Sequence, residues 1–213
     1  DISETFLATT VRTIAAGFPR LQVAPCVADF TELTSLPPDL PDGRRVVFFP
    51  GSTIGNFDPD AARALLARIG RVVGPGALMV VGIDHTRDPA TLVRAYDDAA
   101  GITAAFSKNL LARINRELQG DFDLDAFRHV ARFNLEQRRI EMHLVSTRPQ
   151  RATVLGRSFD FAIGESIHTE SSYKPSPFQF LAMAHRAGWR QEQLWVAGAA
   201  GYAVHVLRSV SLS

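Results

Sequence analysis

Two short uncharged runs constrain this chain more than any other feature: Val46-Val47-Phe48-Phe49 and Ala77-Leu78-Met79-Val80-Val81. Each has strand length and no polar alternation, the pattern of a strand buried on both faces. Between them the sequence encodes one amphipathic helix. Asp58-Pro59 is a cap followed by proline at the first helical position, and Ala61, Leu65, Leu66, Ile69 and Val72 share a face. Gly74-Pro75-Gly76 ends it. Strand, crossover helix and strand make the unit of a parallel α/β sheet. Ligands of such sheets collect at the carboxyl ends of the strands. That directs attention to Ala28-Asp29-Phe30, to the loop 51–56 and to Asp84.

The remaining segments fit around this unit. Residues 3–16 predict a helix capped by Ser3, residues 21–27 a strand interrupted by Pro25, and 35–43 a turn-rich connector. Residues 90–100 and 102–118 predict long helices, and 121–133 a shorter one with Asp123 as its cap. Residues 139–147 alternate at strand period, and a second strand over 151–161 can pair with them. A helix from Ser176-Pro177 to Ala187 and two strands, 191–196 and 203–210 around residues 198–201, return to the α/β pattern. The segment of about 96–170 therefore reads as an insertion of helices and a β-ribbon.

Composition narrows the function classes. The chain has 213 residues, 46% of them hydrophobic and 21% charged, with a mean hydropathy of +0.01. That balance excludes a disordered tail or a collagen-like fibre. Lysine and arginine number 23 against 22 acidic residues, a net charge of +1, which gives no electrostatic case for nucleic acid or an anionic membrane. No apolar run has the length of a membrane-spanning helix. The one cysteine, Cys26, has no internal partner; it is expected buried and inert, in a reducing, cytoplasmic setting. The first residues, Asp1-Ile2-Ser3, carry no initiator methionine and read as an internal start.

Three stretches can carry chemistry. In the loop Gly51-Ser52-Thr53-Ile54-Gly55-Asn56, two glycines permit close backbone approach, and Thr53 and Asn56 offer short polar groups. A plain strand-to-helix turn, with Asn56 and Asp58 only capping, explains it slightly better. Tyr96-Asp97-Asp98 pairs two acids that a solvated helix face accounts for better, beside a tyrosine able to bury its ring and present its hydroxyl. In Glu165-Ser166-Ile167-His168-Thr169-Glu170-Ser171-Ser172-Tyr173-Lys174, Glu170 and Ser172 would share one side of an extended segment. One carboxylate beside one hydroxyl suits a planar ring bearing N–H groups, although a surface capping region is as good a reading. The six histidines show no Cys/His spacing for a metal, and no metal is expected. Neither a phosphate-binding loop nor a dinucleotide fingerprint is present.

Five stretches together, FFPGSTIGNFDP, AYDDAAGITAAFSKNLLARINREL, DFDLDAFRHVARFN, RRIEMHLVS and GESIHTESSYK, resemble the S-adenosylmethionine-dependent histidine-specific methyltransferases. The resemblance runs along nearly the whole chain. It implies a class I methyltransferase (Rossmann-like) sheet, residues 1–95 and 175–213, with an inserted helical and β-ribbon substrate-binding substructure, residues 96–174. The implied activity is trimethylation of the α-amino group of L-histidine to hercynine, in ergothioneine biosynthesis, with S-adenosyl-L-methionine as methyl donor and no catalytic nucleophile or metal. A tryptophan-derived amino acid, or a non-catalytic module, is the alternative.

Residue by residue, the resemblance implies that Asp1 holds the ribose hydroxyls, Asp29 takes the adenine amine and Phe30 packs on the adenine ring. Gly51, Thr53 and Asn56 would face the amino acid, Tyr96 would bind its carboxylate and Met142 would line the imidazole pocket. Glu170 and Ser172 would hydrogen-bond the two imidazole nitrogens. Pro175 stands where the family pattern has an aromatic residue, and the family's glycine-rich cofactor loop has no counterpart in this sequence.

Overall fold

A computed structural model describes residues 1–38, 40–197 and 201–210. The apolar runs form β1 (Val46–Phe49) and β2 (Leu78–Asp84), paired in parallel with Val46 opposite Leu78. The crossover is α2 (Pro59–Val73); its Asp58 cap accepts from the amides of Asp60 and Ala61. Leu65 and Leu66 of that helix are buried, and each such side chain stabilises the fold by roughly 1.5–3 kcal/mol. β2 pairs antiparallel with β9 (Tyr202–Ser209), and β9 with β8 (Trp189–Ala197), so the sheet runs β1-β2-β9-β8. Residues 198–200, between the last two strands, lie outside the described residues. α5 (Pro177–Arg186) starts with a capping box between Ser176 and Gln179 and shares one core with α2. Trp189 closes that core, its indole N–H donating to the Leu66 carbonyl at 2.9 Å.

A second, three-stranded antiparallel sheet consists of β3 (Phe127–Asn134), β4 (Arg139–Ser146) and β7 (Ser166–Tyr173), with β4 in the middle. Two helices pack on it, α3 (Pro89–Tyr96) and α4 (Ile102–Glu117). α3 brings Leu92 against Ala131 and Ile140, with Tyr96 beside them. α3 is shorter than its periodicity predicts, because Asp98 leaves the helix and accepts from the amides of Ile102 and Thr103 at the start of α4. Those bonds lower the Asp98 pKa to about 2.

Further expectations are corrected. Residues 121–133 are not a helix: a single 3-10 turn, Leu124–Ala126, precedes β3. Phe127, His129 and Ala131 are buried while Arg128 and Arg132 are exposed, so the two-residue period prevails. Residues 151–161 do not pair with β4. They fold on themselves as β5 (Gln150–Val154) and β6 (Arg157–Phe161), because Leu155 and Gly156 both adopt positive φ, the geometry of a tight hairpin turn. Residues 21–27 form no ladder; Pro25 lacks an amide proton, and the end of the segment is tied to Asp1 through the Cys26 carbonyl. Cys26 is exposed rather than buried, since no layer among the described residues covers that segment. The preceding helix α1 (Glu4–Gly17), capped by Ser3 as expected, also buries no residue. Val46 and Phe48, on the edge strand, remain 56% and 72% exposed.

Under the sheet lies a pair of histidines. His85 Nδ1 is 2.7 Å from the Pro175 carbonyl, which can only accept, so His85 carries its proton there. Its Nε2 lies 3.0 Å from His205 Nε2, and His205 Nδ1 lies 3.2 Å from Gln191 Oε1. Burial holds both imidazoles below their usual range, and the nearby His85 further depresses His205, to about 4. The unfolded chain therefore takes up a proton before the folded one does, and stability falls as pH drops from about 6.5 toward 4. Urea unfolding should show this group alone removing about 2 kcal/mol between pH 7 and pH 5. His205→Gln should flatten that part of the slope; equal slopes in parent and variant would count against the assignment.

Candidate active site

The loop after β1 is braced from below. The Gly51 amide donates to the Tyr202 hydroxyl at 3.1 Å, and the Thr53 hydroxyl donates to the Pro50 carbonyl at 3.3 Å. Ser52, at φ 58°, turns its hydroxyl to accept from the Asp84 amide at 3.0 Å. Residues Thr53–Asn56 then make one 3-10 turn that leans on β7. Gly55 allows this: a Cβ there would fall 2.7 Å from the Tyr173 carbonyl and 3.4 Å from Ser172 Oγ. Of the expected loop contacts, the donors of Gly51 and Thr53 are engaged within the scaffold. Asn56 is exposed at the end of the turn.

On β4 and β7, Glu170 stands opposite Met142, and Ser172 stands opposite Ile140. Two apart on an unbroken strand, Glu170 and Ser172 share a face. Glu170 is half-buried, and burial alone pushes its pKa up. Among the described residues no hydrogen bond or ion pair to its side chain offsets that cost. Ser172 is buried. The Tyr96 hydroxyl donates to Ser172 Oγ at 3.2 Å. Tyr96, expected at the carboxylate of an amino acid, is thus placed beside the hydroxyl expected at the ring.

Sequence reasoning left Lys174 without a role. Its side chain is 1% exposed, and its ammonium meets Asp84 Oδ2 at 3.0 Å, the Tyr96 hydroxyl at 2.7 Å and Ser172 Oγ at 3.1 Å. It also lies 4.8 Å from the centre of the Tyr96 ring. Burial pushes the Asp84 carboxyl up, but hydrogen bonds from Thr86 and the Lys174 charge outweigh it, and the net shift is downward. Removing one partner of such a pair costs about 3–5 kcal/mol, because the other charge is left buried. The signals available in the sequence were Asp84 at the carboxyl end of a buried strand and a lysine in an arginine-rich chain: Lys108 and Lys174 are its two lysines.

Asp1, Asp29 and Phe30 form a neighbouring group. The Ala28 amide donates to the Asp1 carbonyl at 3.1 Å. One carboxylate oxygen of Asp1 accepts from the Ser3 amide, and one of Asp29 accepts from the Thr31 amide and hydroxyl, which lowers the Asp29 pKa. Each acid keeps a second oxygen as an acceptor. Phe30 meets Phe49 and Phe57 edge to face, at centroid distances of 5.9 and 6.3 Å. It therefore abuts the end of β1 and the residue after Asn56. Two free acceptors beside an aromatic face suit the diol, amine and flat ring of an adenosine.

Two other features lie apart. A cavity of about 410 Å³ is lined by Gly55, Phe57, Arg63, Arg138, Tyr173 and Phe178 among others, but not by Asn56, Tyr96, Glu170 or Ser172. Glu141, His143 and His168 each bring one ligand-type atom within 4.8 Å of the others, a grouping that only strand pairing creates. Arg139 already holds the Glu141 carboxylate; burial raises the pKa of that acid, but bonds from Arg139, Asn134 and His143 carry it down to about 2.

Comparison with known proteins places the chain in a family. The family described as "Histidine-specific methyltransferase, SAM-dependent" matches residues 1–209. The chain belongs to this family. As a histidine-specific methyltransferase relative it is 42% identical over 197 residues to the histidine N-alpha-methyltransferase of Mycolicibacterium smegmatis. That match covers 92% of this chain and 61% of the relative, so the chain spans about three-fifths of the relative's length. It is 31% identical over 176 residues to ergothioneine biosynthesis protein 1 of Neurospora crassa, covering 80% of this chain and 19% of that one. In fold it resembles the CcbJ methyltransferase of Streptomyces caelestis, with a TM-score of 0.52 at 17% identity, over 99% of this chain and 73% of that one. The class I methyltransferase fold is thereby shown.

The contact of the family loop with β7 has a direct test. Gly55→Ala should lower the unfolding free energy by about 1–3 kcal/mol, since the added methyl meets backbone rather than a flexible side chain. Chemical denaturation measures it, and an unchanged midpoint would show that the loop and β7 are not packed as described.

Proposed function

We propose that the complete protein transfers methyl groups to the α-amino nitrogen of L-histidine, three in succession, giving hercynine for ergothioneine biosynthesis. The observation that carries this reading is the pair Glu170 and Ser172 on one strand face, one an uncompensated carboxylate and the other a buried hydroxyl. A neutral imidazole has one donor and one acceptor nitrogen. Glu170 accepts the ring N–H and Ser172 donates to the other nitrogen, while Met142, across from Glu170, lines the ring. Asn56 offers its amide to the carboxylate of the amino acid. Tyr96 supports the Ser172 hydroxyl and walls the ring side. In this reading residues 96–174 supply the ring site, and residues 1–95 with 175–213 supply the donor side.

S-adenosylmethionine, when bound, supplies an electrophilic methyl group on a sulfonium sulfur. Asp1 and Asp29 hold the polar edges of the adenosine and Phe30 its ring face. With both substrates fixed, the lone pair of the neutral α-amine is directed at the methyl carbon; the N–C bond forms as the C–S bond breaks, S-adenosylhomocysteine leaves, and each of the first two products gives up a proton to solvent before the next transfer. The contribution of the chain is alignment, with no covalent intermediate on the protein. The family, and the names of relatives at 42% and 31% identity, support the same assignment. A cytoplasmic setting belongs to the reading too; free Cys26 suits a reducing compartment, and no helix among the described residues is long and apolar enough to cross a membrane.

Mass spectrometry of L-histidine incubated with S-adenosylmethionine and the complete protein should show stepwise methyl gains. Glu170→Ala should raise the KM for histidine about 10- to 100-fold, the loss expected for a hydrogen bond to a charged group. Unaltered histidine beside another methylated amino acid would favour a different substrate.

A further inference from the structure

We infer that Lys174 is a positioning residue that makes Ser172 an obligate hydrogen-bond donor and so selects one tautomer of the substrate ring. The inference rests on the reading of Glu170 and Ser172 given above. An ammonium has three protons and accepts nothing. All three of its protons have a partner here: Asp84 Oδ2, the Tyr96 hydroxyl and Ser172 Oγ, at 3.0, 2.7 and 3.1 Å. The Tyr96 hydroxyl gives its own proton to Ser172 Oγ at 3.2 Å. Ser172 therefore accepts two hydrogen bonds, which fills both lone pairs of its oxygen, and is left with one proton and no vacancy for another donor.

A ring nitrogen that meets Ser172 must then be unprotonated, and the proton of a neutral imidazole must lie on the nitrogen facing Glu170. An imidazolium would set an N–H against a saturated oxygen. A ring without a second nitrogen would leave the Ser172 proton buried and unpaired, a loss that gives strong discrimination. The residue type matters as well. A compact ammonium can contact three acceptors that converge from three elements, the end of β2, the end of α3 and the end of β7, whereas a planar guanidinium fork cannot. Asp84 holds this charge in place from the other sheet, and makes the ring site depend on how the two sheets are docked.

The test compares L-histidine with the two isomers of pyrrolylalanine, each of which lacks one ring nitrogen, in the complete protein. The parent should prefer histidine by about 10- to 100-fold in kcat/KM over the isomer that keeps only the Glu170-facing N–H. Ser172→Ala should abolish that preference. The double variant Asp84→Asn/Lys174→Met, which leaves no unpaired charge, should reduce it to within about threefold of Ser172→Ala, with the KM for S-adenosylmethionine unchanged. If the double variant loses activity toward histidine and analogue alike and keeps the ratio, Lys174 is only a structural strut and the inference fails. If Ser172→Ala itself keeps the ratio, the ring reading fails and takes this inference with it. A second measurement needs no variant: the nitrogen NMR spectrum of ring-labelled L-[15N]histidine bound to the parent with S-adenosylhomocysteine should show one pyrrole-like and one pyridine-like nitrogen at neutral pH. Two protonated nitrogens, or two averaged ones, would overturn the proposal.

Discussion

One buried ion pair joins the two halves of this molecule. Lys174 follows the last strand of the antiparallel sheet, and Asp84 ends an interior strand of the mixed sheet. Neither charge tolerates that environment alone. The neighbours add weaker ties along the same seam: Gly55 against the Tyr173 backbone, and His85 against the Pro175 carbonyl. Residues 172–175 are thus fastened to the carboxyl ends of the strands, where an α/β sheet presents its ligands.

The site proposed above draws on both sides of this seam. The mixed sheet contributes the loop that ends in Asn56 and the aromatic group around Phe30. The antiparallel sheet contributes Glu170, Ser172 and Met142, and α3 supplies Tyr96. The hydroxyls of Tyr96 and Ser172 belong to different elements, and the lysine that touches both also reaches the other sheet. In the proposed ring clamp Tyr96, Ser172 and Lys174 have fixed partners, whereas among the described residues Glu170 has none, so its carboxylate bears a cost of burial that a ligand N–H would relieve.

The strand–helix–strand unit was legible because its signals are local: apolar runs, a capped amphipathic helix and a glycine stop. Ser3, Asp58 and the Ser176-Pro177 start were legible for the same reason. The expectation of a helix over 121–133 failed because a few apolar residues at mixed spacing fit two periods, and only pairing with β4 selects the strand. The 151–161 segment failed because Leu155 in a left-handed conformation is not advertised by its side chain. Cys26 and residues 21–27 carry the composition of a core strand, but burial depends on a covering layer. Glu170 and Ser172 could be paired from their spacing, since an extended strand repeats every two residues. Tyr96 could be singled out, but not its neighbour, because 76 residues separate it from Ser172.

By itself the sequence determined the strand–helix–strand unit, the helix starts at Ser3, Asp58 and Ser176, and a run of motifs specific enough to carry the family. These depend on interactions within a few residues or on residue order. Tertiary structure alone decided that Lys174 lies between Asp84, Tyr96 and Ser172, that Glu170 has no side-chain partner among the described residues, and that Glu141 and His143 meet His168. Such facts follow from which surfaces dock, and the energy of a buried charge depends on groups that the chain brings together only after it has folded.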